Sequence, residues 1–341
     1  MTRFFLAIAL LLGGLTWSQP TESQTVSEDW TERPDSRAPA GLRQDALLAP
    51  GAFEVSYRME ILGYEGMKVG TQEVPAILVL RDWDLAPLSM TVQRHAVELR
   101  AGILDWLGAS ALIPFHHISA ELADDQVRGS PSASGVGDIE VHTLIGLHDT
   151  WPYRAHLIAG ASLPVGSVDE AGQLPNVFGS NPERTLPYPM QPGDGTFAFL
   201  TGAMFVAENA AGTVGLRGGA RIPVGENDRG WTRGNSYDAQ AWMAYRFTDW
   251  VSGSVRISYL KTGNLTGSDT AMDAFSSPLA HPDLQSGSQV SLPIGINLRF
   301  PEGRLEGNRI GIELLVPVHE DLDGPQLTPS SGLALSWGVA F

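Results

Sequence analysis

Leu333-Ala334-Leu335-Ser336-Trp337-Gly338-Val339-Ala340-Phe341 is the stretch that decides the fold. Leu333, Leu335, Trp337, Val339 and Phe341 share one parity; Ala334, Ser336, Gly338 and Ala340 share the other. Successive side chains of an extended chain point to opposite faces, so this is a strand with one large apolar face and one face of small residues.

The same period of two recurs upstream from Gly51. Phe53, Val55, Tyr57 and Met59 alternate with Glu54, Ser56, Arg58 and Glu60, and Val251, Val255, Ile257 and Tyr259 alternate with Ser252, Ser254, Arg256 and Ser258. Twelve such segments can be read, at 51–61, 91–102, 107–117, 137–148, 153–164, 195–207, 212–223, 236–247, 250–261, 288–300, 308–318 and 332–341. Each has about ten residues, the length a tilted strand needs to cross a bilayer. The connections alternate too. Tight links lie around Asp105-Trp106, at 149–152, 208–211 and 248–249 and at 301–307, whereas the links at 62–90, 118–136, 165–194, 224–235, 262–287 and 319–331 are long and polar. Short turns at one rim, long loops at the other and an even strand number predict an all-β protein, a single antiparallel transmembrane β-barrel of about 12 strands. Its localisation would be the bacterial outer membrane, with both termini in the periplasm, and its partners the outer-membrane lipid and the barrel-assembly machinery. Phe341, the aromatic residue ending the last strand, is the expected assembly signal.

Composition agrees. Mean hydropathy is −0.04 and 38 residues are glycine, which suits strands that are only half apolar. The charge of −16 argues against nucleic acid as a partner, and the lack of cysteine excludes disulfides, thiolate metal sites and lipid attachment at a Cys. Residues 1–18 read as a signal peptide: Arg3 supplies charge, an apolar run follows to Leu12, and Gly13-Gly14 precedes small residues. Residues 19–50, rich in Pro, Ser and Thr without periodicity, read as a disordered or plug-like extension, and 51–341 as the barrel.

Strand parity divides the candidate site residues. Arg58, Arg94, Arg217, Arg246, Arg256 and Arg299, with Glu54, Glu98 and Glu313 as partners, fall opposite the apolar face and are expected to line the lumen and set selectivity. A slip of one residue would put each in lipid, where a charge costs about 2–4 kcal/mol at the midplane. Leu104-Asp105-Trp106-Leu107, Thr248-Asp249-Trp250-Val251 and His148-Asp149-Thr150-Trp151 repeat one device, a Trp beside a short turn. Trp106, Trp151 and Trp250, with Trp337, are therefore expected in an interfacial girdle. The apolar run at 74–80 fits an extra wall strand, a gate folded into the lumen or a contact for substrate.

Further motifs carry a resemblance. Gly135-Val136-Gly137-Asp138-Ile139 opens a strand and Leu163-Pro164-Val165-Gly166-Ser167 ends the next; Leu186-Pro187-Tyr188-Pro189-Met190-Gln191, Gly225-Glu226-Asn227-Asp228-Arg229-Gly230 and Asp321-Leu322-Asp323-Gly324-Pro325-Gln326-Leu327 follow. Over about 90–341 the chain resembles the outer-membrane "meta-pathway of phenol degradation" family of transporter barrels. The resemblance implies passage of a small-molecule substrate, hydrophobic or aromatic. Relatives of that family often carry a Met- and His-rich stretch before the first strands; here that region reads Leu48-Ala49-Pro50-Gly51-Ala52-Phe53, so no metal and no cofactor is assigned. The alternative is a plugged structural or surface-interaction barrel without transport.

An outer-membrane enzyme has the least support. His95, Ser110 and Asn297 could supply a lipase-like set, but no nucleophile motif surrounds the Ser. His116-His117 are adjacent on a strand, and so point to opposite sides and chelate poorly. No catalytic residue is assigned.

Overall fold

The computed structural model describes residues 32–124, 127–176 and 180–341. The signal-peptide reading, and residues 19–31 of the extension, lie outside the described residues. Twelve antiparallel strands close into one barrel. In chain order they are β1 (Phe53–Gly70), β2 (Ala86–Leu104), β3 (Leu107–Ala123) and β4 (Ser132–Val136, continued by Ile139–Thr150). Next come β5 (Tyr153–Leu163), β6 (Phe197–Glu208), β7 (Gly212–Val224), β8 (Ser236–Arg246) and β9 (Val251–Thr262). β10 is Gly287–Ser291 continued by Ile294–Arg299, and β11 begins as Asn308–Leu315. The run Pro317–Ala340 serves two strands: 317–322 extends β11 against β10, and 326–340 forms β12. β12 then pairs with β1 from Glu54↔Ala340 upward, which closes the ring.

All twelve predicted segments fall on these strands. The difference is length. β1, β2 and β3 run for 18, 19 and 17 residues, beyond the roughly ten a membrane requires. Above Leu62 the chain reads Gly63-Tyr64-Glu65-Gly66-Met67-Lys68 and its apolar parity fades, because that part of the wall has water outside. The barrel core is correspondingly inverted. Phe53, Leu99, Phe115, Leu157, Phe199, Ile296 and Leu314 are exposed on the outer face, while Arg100, His142, Arg154, Arg256 and Glu313 are buried inside. An outward belt of this size on a water-soluble protein would be an aggregation surface; around a closed barrel it faces hydrocarbon. No helix among the described residues is long and apolar enough to cross a membrane.

The 74–80 run is not an extra wall strand. Pro75 caps a short helix, Ala76–Val79, since proline's fixed φ suits a helix start and it has no N–H to give a ladder. Val79, 1% exposed, inserts into an apolar cluster at the long-loop mouth with Met67, Leu122, Leu186, Met190 and Leu327.

Candidate functional site

The lumen is occupied in two storeys. At the short-turn end, residues 32–50 run through it without regular structure apart from short turns. Backbone without a ladder must find partners elsewhere, and here the wall supplies them. Arg58 donates to Ala40 O (2.5 Å), Arg154 to Ser36 O (2.5 Å) and Arg309 to Arg33 O (2.9 Å), while Glu313 accepts from Gly41 N (2.5 Å). Charged side chains of the segment complete the lattice. Asp45 pairs with Arg37 and Arg100, each at 3.0 Å, Arg37 with Glu54 at 2.5 Å, and Arg43 with Glu140 at 2.8 Å. Asp35 accepts from Thr213 (2.9 Å), and Glu32 pairs with Arg299. Burial pushes the Asp45 carboxyl up, but Arg37 and Arg100 more than offset it and hold the group far below the usual carboxylate range. Leu42 anchors the tip among Met204, Val206 and Trp242. Beside it Gly41 passes so close to the Arg256–Glu313 pair that a Cβ there would collide with the guanidinium.

At the long-loop end the motifs quoted above knit a cap. Asp138 accepts from Gly166 N and Asp194 N, both at 2.9 Å, and joins the loop after β5 to the chain entering β6. Gly166 and Gly193 touch there, and a side chain on either would meet the other's backbone. Asp194 in turn pairs with Arg221 (2.7 Å) and Arg233, and these two hold its carboxyl low against the upward push of burial. Gln191 ties 186 to 191 by donating to Leu186 O (2.8 Å). Asn227 accepts from Arg229 N (3.0 Å) and Trp231 N (3.2 Å), and seats Trp231 edge-on against Tyr188, with ring centroids 5.0 Å apart. Asp323 N donates to Ser286 O (3.1 Å) and Gln326 Nε2 to the same oxygen (2.6 Å), so the Asp-Leu-Asp-Gly segment clasps the neighbouring loop. The apolar cluster around Val79 and Leu186 lies beneath these contacts.

Between the storeys the lumen is not filled. Register places Glu60 opposite Arg94 and Arg94 opposite His116, all facing inward. Arg94 is 48% exposed and Glu60 33%, with 3.8 Å between them. Arg217 and Asp238 pair at 2.5 Å on the inward face of β7 and β8.

Each predicted lumen residue can now be placed. Glu54, Arg58, Glu313 and Arg299 hold the extension, and Arg256 braces Glu313 at 2.9 Å. Glu98 is buried 3.9 Å from Arg58, Arg94 is exposed to the lumen, Arg217 pairs with Asp238, and Arg246 sits at the short-turn rim beside Ala210 O (3.2 Å). Trp106, Trp151 and Trp250 are exposed beside short turns, and Trp337 is exposed while donating to Asn308 (2.8 Å). Phe341 exchanges backbone hydrogen bonds with Phe53 (2.7 and 3.1 Å). His95 bonds Tyr57 Oη (2.6 Å) on the outer face whereas Ser110 and Asn297 are buried inside, so the three do not meet. His116 points in, and His117 points out to Ser134 (2.6 Å). No group of three or more potential metal ligands occurs among the described residues. Sequence reading missed Arg37, Arg43 and Asp45 on the extension and Asp138 and Asp194 in the cap. The mixed charges spaced along 32–45 signalled the first three, and the Gly-Val-Gly-Asp strand opening signalled Asp138.

No family model and no curated protein matches the chain. Among solved structures it is similar to the COG4313 outer membrane channel from Pseudomonas putida F1, with a TM-score of 0.61 at 15% identity over 87% of this chain and 97% of that one. The chain folds as an outer-membrane β-barrel. Looser likenesses are to the Ralstonia pickettii toluene transporter TbuX (TM-score 0.44, 10% identity, 91% of this chain and 98% of that) and to the CymD monoaromatic hydrocarbon channel (0.39, 8%, 86% and 89%).

Proposed function

We propose that this protein is a channel of the bacterial outer membrane that passes small hydrophobic or aromatic molecules through a lumen closed at rest. One observation carries the reading. A barrel serving only as scaffold has reason to fill its lumen evenly, whereas here an open, charged level at Arg94 and Glu60 lies between two separable obstructions. The obstruction at the short-turn end is a chain segment held by polar bonds, and the one at the other end is loops around an apolar cluster. Both are made of parts outside the wall, so either can move without breaking the barrel. The resemblance to the phenol meta-pathway family supports the cargo class. In this reading Arg58, Arg256 and Glu313 hold the gate, and Arg94 and Arg217 meet the cargo. The tryptophan girdle and the Phe341 signal serve insertion.

The test is single-channel conductance of the refolded protein in planar bilayers, with and without residues 19–49. Conductance that rises on deletion supports a gated channel. Silence in both forms, from protein shown to be folded, sinks the channel and favours the second reading, a plugged structural barrel, which the density of ion pairs on the extension also fits.

A further inference from the structure

Arg94 stands apart from the other arginines that face into the barrel. Arg58, Arg100, Arg154, Arg217 and Arg256 each make at least one hydrogen bond of 3.2 Å or less to a named acceptor. Arg94 makes none among the described residues; its nearest acid, Glu60, lies at 3.8 Å, outside hydrogen-bond range. Glu60 likewise receives no hydrogen bond there, and its register partner across β12 is Ala334, which has nothing to offer it. A guanidinium and a carboxylate therefore stand side by side as a loose ion pair, partly exposed to the lumen, and neither makes a hydrogen bond to another described residue.

Two residues further toward the cap on the same strands, Val92 and Ile118 face inward as register partners. They are buried in the mouth cluster with Met90 and Ala120. Two strand residues span about 7 Å, roughly the reach from an α-carbon to the far edge of a phenyl ring. Cation, anion and apolar wall thus occur in one column.

We propose that this column binds zwitterionic amino acids with apolar side chains. The α-carboxylate lies on the Arg94 fork, the α-ammonium on Glu60, and the side chain against Val92 and Ile118 where the cap lifts. A ligand with a carboxylate alone would satisfy Arg94 but strand Glu60 beside a second negative charge. An amine alone would do the reverse. The zwitterion engages both and leaves the local charge unchanged, and bidentate guanidinium–carboxylate geometry fixes its orientation. The proposal rests on the channel reading above and narrows its cargo.

The experiment is equilibrium titration of the full chain in detergent micelles with phenylalanine, 3-phenylpropionate and 2-phenylethylamine, which share one skeleton. Phenylalanine is expected to bind at least tenfold more tightly than either. Arg94→Gln should abolish its margin over the amine, and Glu60→Gln its margin over the acid. Arg94→Lys, which keeps the charge but loses the fork, should retain part of the margin, and heat-modifiable gel migration checks folding of each variant. Equal affinity for the three compounds, or wild-type preference in both variants, overturns the proposal. Conductance is read separately. A folded protein that is silent in bilayers but keeps the preference removes the channel reading and leaves the site, whereas conductance without the preference removes the site alone.

Discussion

Asp45→Asn tests whether the extension is a latch. Asp45 lies 7% exposed in the lumen and accepts hydrogen bonds from Arg37 and Arg100, both at 3.0 Å, and from Ala38 N at 3.1 Å. The amide keeps the shape and can still accept from Ala38, so the change removes charge rather than packing. Hydrogen bonds to charged groups contribute about 1.5–3 kcal/mol each, but Arg100 keeps Glu54 at 2.9 Å and Arg37 keeps Glu54 at 2.5 Å. Of the two bonds weakened, we therefore count roughly one lost outright, which gives about 3 kcal/mol, the low end for breaking a buried pair. At 1.4 kcal/mol per factor of ten, the open fraction should rise about 100-fold. The chain has no cysteine, so Ala40→Cys, at a position 3% exposed under Arg58, gives a clean reporter for a thiol reagent. Labelling should accelerate about 100-fold in the Asp45→Asn background, with matching growth of open events in single-channel records. Rates within threefold of each other would refute the latch.

Leu42→Ala should loosen the same segment by removing its buried leucine, and buried Leu-to-Ala changes cost about 2–5 kcal/mol; labelling at position 40 reads it, and a rate unchanged from wild type contradicts the anchor. Asp138→Ala removes the acceptor for Gly166 N and Asp194 N, so limited proteolysis of the 164–196 loop should quicken about tenfold while the barrel stays heat-modifiable. Asp45 and Asp194 both have carboxyls held below the unfolded value of about 3.9. Their contribution is therefore full above that pH and is lost only as pH falls through the lower folded value; open probability should stay flat from neutrality to about pH 4.5, and opening near pH 6 would show that other groups control the gate. Ile113→Arg, on the outer face, should cost about 2–4 kcal/mol in denaturant unfolding from lipid vesicles if it lies near the midplane; a neutral effect would mean that this face meets water.

The wall was legible because lipid enforces it. A strand with hydrocarbon on one side and polar lumen on the other must alternate, and Phe53 to Glu60 shows that with no knowledge of its neighbours. The extra length of β1 to β3 was not legible, since above the membrane both sides of the sheet are wet and parity carries no penalty. The interior was legible only as a list. Parity says that Arg58 and Glu98 face inward, but their partners depend on a segment, 32–50, whose irregular path has no period to read. The cap was hidden differently. Asp138 and Asn227 accept from backbone N–H groups up to 56 residues away and Asp323 from the Ser286 hydroxyl, and contacts of that kind leave compact motifs in the sequence without naming what they hold.

The two obstructions differ in chemistry, and this bears on how a solute could pass. Replacing a buried ion pair with apolar groups is often neutral or stabilising, so a charged lattice such as Arg37–Asp45–Arg100–Glu54 is a weak way to gain stability. It is, however, a way to hold a segment whose released state is also well solvated: once withdrawn, residues 32–45 expose charges, not grease. The cap has the opposite character. Val79, Leu186, Met190 and Leu279 bury apolar surface against the wall, so lifting it into water alone is unfavourable. A solute that carries its own apolar surface can replace those contacts as it enters, whereas a small ion cannot. In the proposed channel, an apolar seal toward the long loops and a polar latch toward the short turns would therefore favour entry of apolar solutes from the loop side. Such a solute would then reach the charged level at Arg94 and Glu60 before the latch has to open.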